Sequence, residues 1–300
     1  MFQSHLGEIS ALLTAFFWTI TALSFEKAGK LIGSLAVNWI RMLFGMIFLS
    51  FFTWMTRGMF LPIDADLHAW SWLSISGLIG FVVGDMLLFQ AFVLIGSRIS
   101  MLIMALVPPI TTLISWLLMG ETLSVQDFIG MTLVVGGIAL VVLERPRGGR
   151  AIKFSHPVSG IFFALGGAAG QAVGLVLSKY GMGDYNAFAS TQIRIFAGFI
   201  GMSFLYFFLK AWKKVRIGFK NPKALLITIN GAFWGPFLGV SFSLLAVQHA
   251  LAGVASTIMA IVPVLIIPPA VILFKEKINA KEVMGAFIAV LGVGILFMRS

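Results

Sequence analysis

Residues 224–274 read ALLITINGAFWGPFLGVSFSLLAVQHALAGVASTIMAIVPVLIIPPAVILF, without one Asp, Glu, Lys or Arg. About 20 apolar helical residues span the hydrocarbon core of a bilayer. This run is too long for one span and fits two, with a tight turn near residues 249–253. Lipid cannot satisfy free backbone groups, so apolar runs of this length must be helical.

The composition of the whole chain leads to the same conclusion. Apolar residues make up 59% of the 300 residues and charged residues 11%, against about 25% charged in soluble proteins. The absence of Cys excludes disulfides and thiolate metal sites. The net charge of +10 lies in loops between apolar runs, where basic residues set membrane orientation. We therefore expect the lipid bilayer as a partner and no nucleic acid.

The remaining apolar runs predict an all-α membrane protein with ten transmembrane helices. The predicted spans are residues 7–26, 34–55, 70–95, 99–119, 124–143, 157–178, 187–209, 224–248, 253–274 and 280–298. The longest polar stretches, at residues 57–68, 144–156 and 210–223, are too short for an extramembrane domain.

The chain contains an internal duplication. Residues 104–108 (MALVP) match residues 259–263 (MAIVP), and Arg41 matches Arg194. Charged residues that match along with the apolar ones are hard to obtain from composition alone.

Each repeat holds five helices, and the repeats are predicted at residues 1–147 and 148–300. Because five is odd, the second repeat enters the membrane from the opposite face. Such inverted repeats are typical of secondary transporters, whose substrate site lies near the membrane midplane between the repeats. We therefore expect a central cavity, and since both halves are in one chain, a monomer.

These residues resemble the EamA domain of the drug/metabolite transporter superfamily. The resemblance rests on Trp18, Arg41, the proline-containing fourth and ninth helices, and the residues that follow them: Gly120, Glu121, Gly130, Gly136 and Gly137, repeated as Glu276, Gly285 and Gly292. It covers nearly the whole chain and implies a ten-helix carrier that moves small metabolites, often outward. The second copy departs from the pattern at Gly170, where Trp18 would repeat.

Asp85 is the first candidate for a functional residue. It lies in the third predicted span and its repeat partner is Val240, so the repeated fold does not require an acid there. A carboxylate within the bilayer faces a cavity or a partner, and can carry a proton. Phe81, Phe89 and Phe92 share its helical face, and an aromatic pocket with one acid would suit a cationic or zwitterionic substrate. The alternative is an Asp that merely bonds two helices together.

The other charged residues near spans favour structural roles. Arg41 and Arg194 could bind an anion, but a residue present in both copies more often serves the repeated fold, by snorkelling or by pairing with an acid such as Glu26. Glu121 and Glu276 stand shortly before the fifth and tenth helices, where an acid stabilises a helix N-terminus.

Prolines and small residues mark places where helices bend or approach each other. Pro108 and Pro263 interrupt the fourth and ninth spans, and we expect paired kinked helices that act as gates. Small residues spaced four apart predict close helix contacts at Ser76, Gly80 and Gly84, at Gly231, Gly235 and Gly239, and at Gly166, Gly170 and Gly174.

Trp18, Gln171 and Trp234 complete the substrate candidates, although packing alone would also explain them. No metalloprotease, serine-hydrolase or nucleotide-binding motif is present. We therefore expect no enzyme, no cofactor and no metal, but a secondary carrier of a small metabolite, an amino acid or a similar polar or aromatic solute. A channel or receptor is the main alternative.

The basic residues predict an orientation. Most of the 21 Lys and Arg residues lie in loops after odd-numbered helices, and only Arg57, Lys179 and Arg299 lie on the opposite face. The positive-inside rule then places both termini outside the cytoplasm, in what we expect to be a bacterial inner membrane.

Overall fold

A computed structural model describes residues 5–143, 158–269 and 280–298, and every regular element in these ranges is a helix. The first repeat contains α1 (Leu6–Ile32), α2 (Ser34–Arg57), α3 (Leu67–Gly77), a first π-helical segment (Leu78–Gly84), α4 (Asp85–Met104), α5 (Val107–Met119) and α6 (Val125–Leu143). The predicted boundary between the repeats, at 147/148, lies outside the described residues.

The second repeat follows the same plan. It contains α7 (Val158–Met182), α8 (Ala187–Phe208), α9 (Trp212–Phe219), α10 (Pro222–Ala232), a second π-helical segment (Phe233–Gly239), α11 (Val240–His249), α12 (Ala252–Met259), α13 (Val262–Leu265) and α14 (Ala280–Phe297). The two π-helical segments occupy equivalent positions of the two repeats.

The helices confirm the predicted all-α membrane architecture. Seven helical stretches of the described ranges are long and apolar enough to cross a bilayer. Three shorter apolar helices, Val107–Met119, Val125–Leu140 and Val283–Phe297, occupy the fourth, fifth and tenth predicted spans. Large apolar side chains such as Phe162, Phe204 and Phe207 are about 70% exposed on the outer surface, which is the surface that lipid covers.

One predicted boundary was wrong. No loop separates the third and fourth spans at residues 96–98, because α4 stays helical to Met104. The break comes instead at residues 105–106, where the ring of Pro108 excludes the carbonyl of Met104, four residues earlier. The predicted loop at residues 210–223 contains α9, whose Val215 and Gly218 are buried while its lysines are exposed.

The repeats interlock through equivalent helices. α1 packs against α10, the second π-helical segment and α11, and α7 packs in the same way against α3, the first π-helical segment and α4. α2 contacts α8, and α6 contacts α14. A Cβ on Gly137 of α6 would lie 2.5 Å from the nitrogen of Ala289 in α14, so these backbones touch.

The predicted small-residue contacts are confirmed. A Cβ on Gly170 would lie 2.8 Å from the Cα of Gly84, where α7 meets the first π-helical segment. At the equivalent place of the other repeat, a Cβ on Gly239 would lie 2.7 Å from the indole of Trp18. Because Gly170 stands where Trp18 would repeat, Gly84 contacts the backbone of α7, whereas Gly239 contacts the side chain of Trp18.

Candidate functional site

A cavity of about 350 Å³ lies between the two repeats. Helices of both halves form its wall, together with both π-helical segments and the broken ends of α4 and α12. Five of the predicted site residues line it: Trp18, Phe81, Asp85, Gln171 and Pro263. Their roles in transport stay predictions, but the structure brings them to one place.

Two of the remaining predicted site residues, Trp234 and Pro108, do not line the cavity. Trp234 packs against Phe17, with ring centroids 5.4 Å apart, and is not part of the cavity wall. Pro108 is buried beside the cavity, which its neighbour Val107 lines instead. The side chain of Phe89 lies outside the described residues. Among the described lining residues, the aromatic side chains are Trp18 and Phe81.

Asp85 begins α4 directly after the first π-helical segment and is almost fully buried. One carboxylate oxygen forms an ion pair with Arg41 of α2. The other accepts a hydrogen bond from Nε2 of Gln171 at 2.8 Å. Both oxygens are thus engaged, because the contact between Gly84 and Gly170 brings the next residue of α7 within reach.

Arg41 is held in a fixed position. Its Nε donates to Oδ1 of Asn38 at 2.7 Å, and its guanidinium lies over the ring of Phe25, 5.6 Å from the centroid. The sequence predicted pairing with an acid, and the acid is Asp85; the side chain of Glu26 lies outside the described residues. Asn38, buried and one turn before Arg41, was not among the predicted site residues.

Arg194 of α8 also lines the cavity, although its sequence pattern favoured a purely structural role. Its residue surface is 5% exposed. The guanidinium lies over the ring of Phe81, 4.9 Å from the centroid. Its Nε is buried and has no hydrogen-bond partner in the described part of the chain. The two equivalent arginines therefore sit in different electrostatic surroundings.

The ninth span breaks at the same place as the fourth. α12 ends at Met259, four residues before Pro263, and α13 begins at Val262. The intervening Ile261 has nearly the same backbone angles as its counterpart Leu106, with φ of −70° and −80°. Both breaks border the cavity, so four symmetric irregularities, two breaks and two π-helical segments, surround it.

Glu121 stabilises a helix N-terminus, but of a different helix from the one predicted. Its Oε2 accepts from the backbone N–H of Ala252, the first residue of α12, at 2.8 Å. Its Oε1 lies 2.5 Å from Nζ of Lys179, which also donates to the carbonyl of Ala250 at 2.6 Å. Glu276 lies outside the described residues. We call Glu121, Lys179, Ala250 and Ala252 the latch; it joins three helix ends on the face that carries both termini.

A second polar cluster lies on the same face. Arg57 donates to Asp64 at 2.5 Å and to the hydroxyl of Tyr185 at 2.9 Å, and that hydroxyl donates to Asp64 at 2.8 Å. Partial burial works in the opposite direction, but these bonds lower the pKa of Asp64 below its ordinary value of 3.8. The cluster ties the loop after α2 to the loop after α7.

A larger groove of about 770 Å³ runs along α5 and α6. It is lined mainly by apolar side chains such as Leu113, Trp116 and Phe128, each more than half exposed on the outer surface. These side chains face lipid, so we place the candidate site in the smaller central cavity, where the buried charges are.

Comparison with known proteins identifies the family. An uncharacterized transporter of Archaeoglobus fulgidus is 21% identical over 290 residues, which cover 97% of each chain. A protein crystal structure superposes with a TM-score of 0.73 at 16% identity, covering 96% of this chain and 95% of the other, which supports the fold. The EamA-like transporter family matches residues 5–143 and 158–298, one match for each repeat. With nearly the whole chain matched in two repeats, the protein belongs to the EamA-like transporter family of the drug/metabolite transporter superfamily.

Proposed function

We propose that this transporter is a secondary active carrier that exports a small metabolite, an amino acid or a similar polar or aromatic solute, by alternating access. It acts as a monomer in the inner membrane of a bacterium. One observation carries the proposal: a cavity lined by three charged side chains, the buried Asp85 and Arg194 and the partly buried Arg41, lies between inverted repeats. Buried charges within a membrane are costly and mark solute or ion pathways.

The symmetric irregularities support alternating access. A π-helical segment or a helix break weakens the regular hydrogen-bond ladder at one place, so a helix can bend there at low cost. Because each irregularity occurs once in each repeat, the same bend can open the cavity toward either face. Prolines at equivalent positions, Pro108 and Pro263, maintain the breaks in both repeats.

Asp85 couples transport to protons in this proposal. In the present conformation Arg41 and Gln171 contact the two carboxylate oxygens, so a substrate amine would have to compete with the guanidinium of Arg41 for Asp85. Asp85 belongs to α4 and Arg41 to α2, so a conformational change that separates these helices exposes the carboxylate. An unpaired carboxylate in an apolar cavity takes up a proton. The proton is released when Arg41 returns.

Counterflow in proteoliposomes tests the proposal. Vesicles preloaded with unlabelled solute from a panel of amino acids, nucleosides, sugars and organic cations should accumulate the labelled form transiently and with saturation. A channel gives no such overshoot, and a receptor gives no uptake.

Asp85→Asn then separates coupling from binding. It keeps the side-chain shape and the bond from Gln171, so exchange of solute for solute should persist while uptake driven by a pH gradient is lost. Asp64→Asn is the matched control, since it neutralises a carboxylate outside the cavity and should change neither activity. Unchanged pH-driven uptake in Asp85→Asn would contradict proton coupling through this residue.

A further inference from the structure

The two arginines of the cavity differ in what holds them. Arg41 forms an ion pair with Asp85 and donates to Asn38. Arg194 forms no ion pair and donates no hydrogen bond to any described residue, and its Nε is fully enclosed. Yet Arg194 is the more deeply buried of the two, at 5% exposed.

The repeat explains why Arg194 lacks a partner. Arg194 is equivalent to Arg41, and the position equivalent to Asp85 holds Val240. Val240 lines the same cavity. The second repeat thus has an arginine in the cavity wall, as the first does, but it has the apolar Val240 at the position of Asp85, the counter-ion of Arg41.

The immediate surroundings hold the guanidinium in place, although no described carboxylate forms an ion pair with it. The ring of Phe81 lies beneath the guanidinium of Arg194. A Cβ on Gly80 would lie 3.5 Å from Nη2 of Arg194, so this nitrogen packs against the first π-helical segment. The backbone of Arg194 also contacts Gly77, where a Cβ would lie 2.2 Å from the Arg194 carbonyl oxygen. This close packing fixes α8 against the first π-helical segment, so the guanidinium is positioned before any ligand arrives.

The cavity consequently carries an excess of one positive charge. Its wall contains two cations, Arg41 and Arg194, and one anion, Asp85. Buried charges in proteins are paired, because an unpaired one loses its hydration without compensation. A guanidinium presents its donors as a planar fork that fits a carboxylate with two parallel hydrogen bonds.

We propose that Arg194 binds the carboxylate of the transported solute, which supplies the anion that Val240 does not. This inference rests on the proposed carrier function and adds the substrate class: a small monocarboxylate with an apolar or aromatic body. The rest of the wall fits that body, since side chains such as Trp18, Leu175 and Met259 are apolar. A volume of about 350 Å³ lies near the lower end of the usual range for ligand pockets.

Ligand binding to the purified protein tests the inference with four probes of similar shape. 3-Phenylpropionate and L-phenylalanine carry a carboxylate; 3-phenylpropanol is neutral and 3-phenylpropylamine is cationic. Both carboxylates should raise the thermal midpoint of the wild type, and the other two should not. Arg194→Gln should weaken carboxylate binding about 10- to 100-fold, as expected for the loss of charge-assisted hydrogen bonds. Arg57→Gln is the matched control; Arg57 lies outside the cavity, on the face that carries both termini, and this variant should bind like the wild type.

A second variant gives a measurement that needs no ligand. Arg194→Met removes the unpaired charge and keeps an unbranched apolar side chain, so the ligand-free protein should melt at a higher temperature than the wild type. A purely structural arginine would give a lower midpoint. The inference is overturned by that lower midpoint, by equal binding of the neutral or cationic probe, by full affinity in Arg194→Gln, or by no binding of either carboxylate.

Counterflow of the bound carboxylate distinguishes this inference from the proposed function. Binding that depends on Arg194 without counterflow would keep the carboxylate site and reject the carrier. Counterflow only of solutes that lack a carboxylate would keep the carrier and reject the role of Arg194.

Discussion

Lys179→Met should open the cavity toward the face that carries both termini. Lys179 joins the end of α7 to Glu121 and to the carbonyl of Ala250. Just inside the latch, α5 and α12 are in contact: a Cβ on Gly253 would lie 2.2 Å from Oγ1 of Thr112. No solute can pass between these two helices while they are held this way. Removing the ammonium removes both of the interactions that Lys179 makes in the latch.

The size of the effect follows from the burial of the latch. The side chains of Lys179 and Glu121 are 19% and 11% exposed, so the value of about 0–1 kcal/mol for exposed ion pairs is too low. Residual solvent screening makes the value of about 3–5 kcal/mol for a fully buried pair too high. We take about 2 kcal/mol, which corresponds to a population shift of about 30-fold toward the open form.

Cysteine labelling measures this shift. The natural chain has no Cys, so Ser256→Cys places one thiol in the cavity wall. A membrane-impermeant maleimide applied to the face with the termini should label this thiol about 30-fold faster when Lys179→Met is added. Lys220→Met, which removes an exposed lysine from the opposite face, should leave the rate unchanged.

A double variant completes the test. Adding Glu121→Gln to Lys179→Met should accelerate labelling little further, because both changes break the same ion pair. If Lys179→Met changes the labelling rate by less than twofold, the latch does not hold this face closed.

Four further predictions concern stability and orientation. Gly137→Ala should lower the free energy of unfolding by about 1–3 kcal/mol, since its Cβ would meet the backbone of α14. Gly136→Ala is the control and should leave the free energy of unfolding unchanged, because its Cβ would meet nothing within 4 Å. Equal effects of the two changes would contradict the close contact at Gly137. In a double-mutant cycle, Arg41→Gln and Asp85→Asn should show a coupling on the order of 1–3 kcal/mol; strict additivity would mean that the ion pair does not form. Because the pKa of Asp64 is lowered, its bonds stabilise the protein above pH 3.8 and are lost as the pH falls through its folded-state pKa. The difference in thermal midpoint between the wild type and Asp64→Asn should therefore shrink as the pH falls below 3.8, and a difference that does not change with pH would contradict the role of these bonds. A C-terminal reporter that is active only in the cytoplasm should stay inactive, and a signal would reverse the predicted orientation.

Sequence alone determined the helices, the duplication and the places where helices bend or touch. Lipid forces any long apolar run to be helical, so charge-free stretches were enough to locate the spans. Proline and glycine act on the backbone of their own position, which is why the breaks before Pro108 and Pro263 and the contact at Gly170 could be predicted. The break between the third and fourth spans was misplaced because Gly96, Ser97 and Arg98 interrupt the apolar run but not the helix.

Only the tertiary structure decided which side chains meet. Helical periodicity states which residues share a face, but not which neighbour that face contacts, and the decisive contacts join residues far apart in the chain. Arg41 meets Asp85 across 44 positions, and Glu121 meets Ala252 across 131. The same limit explains why the sequence could not show that Arg194 lines the cavity and that Trp234 does not. Repetition showed that the two arginines are equivalent, but only the packing of α8 against the first π-helical segment shows that Arg194 is buried in the cavity wall and forms no ion pair with a described residue.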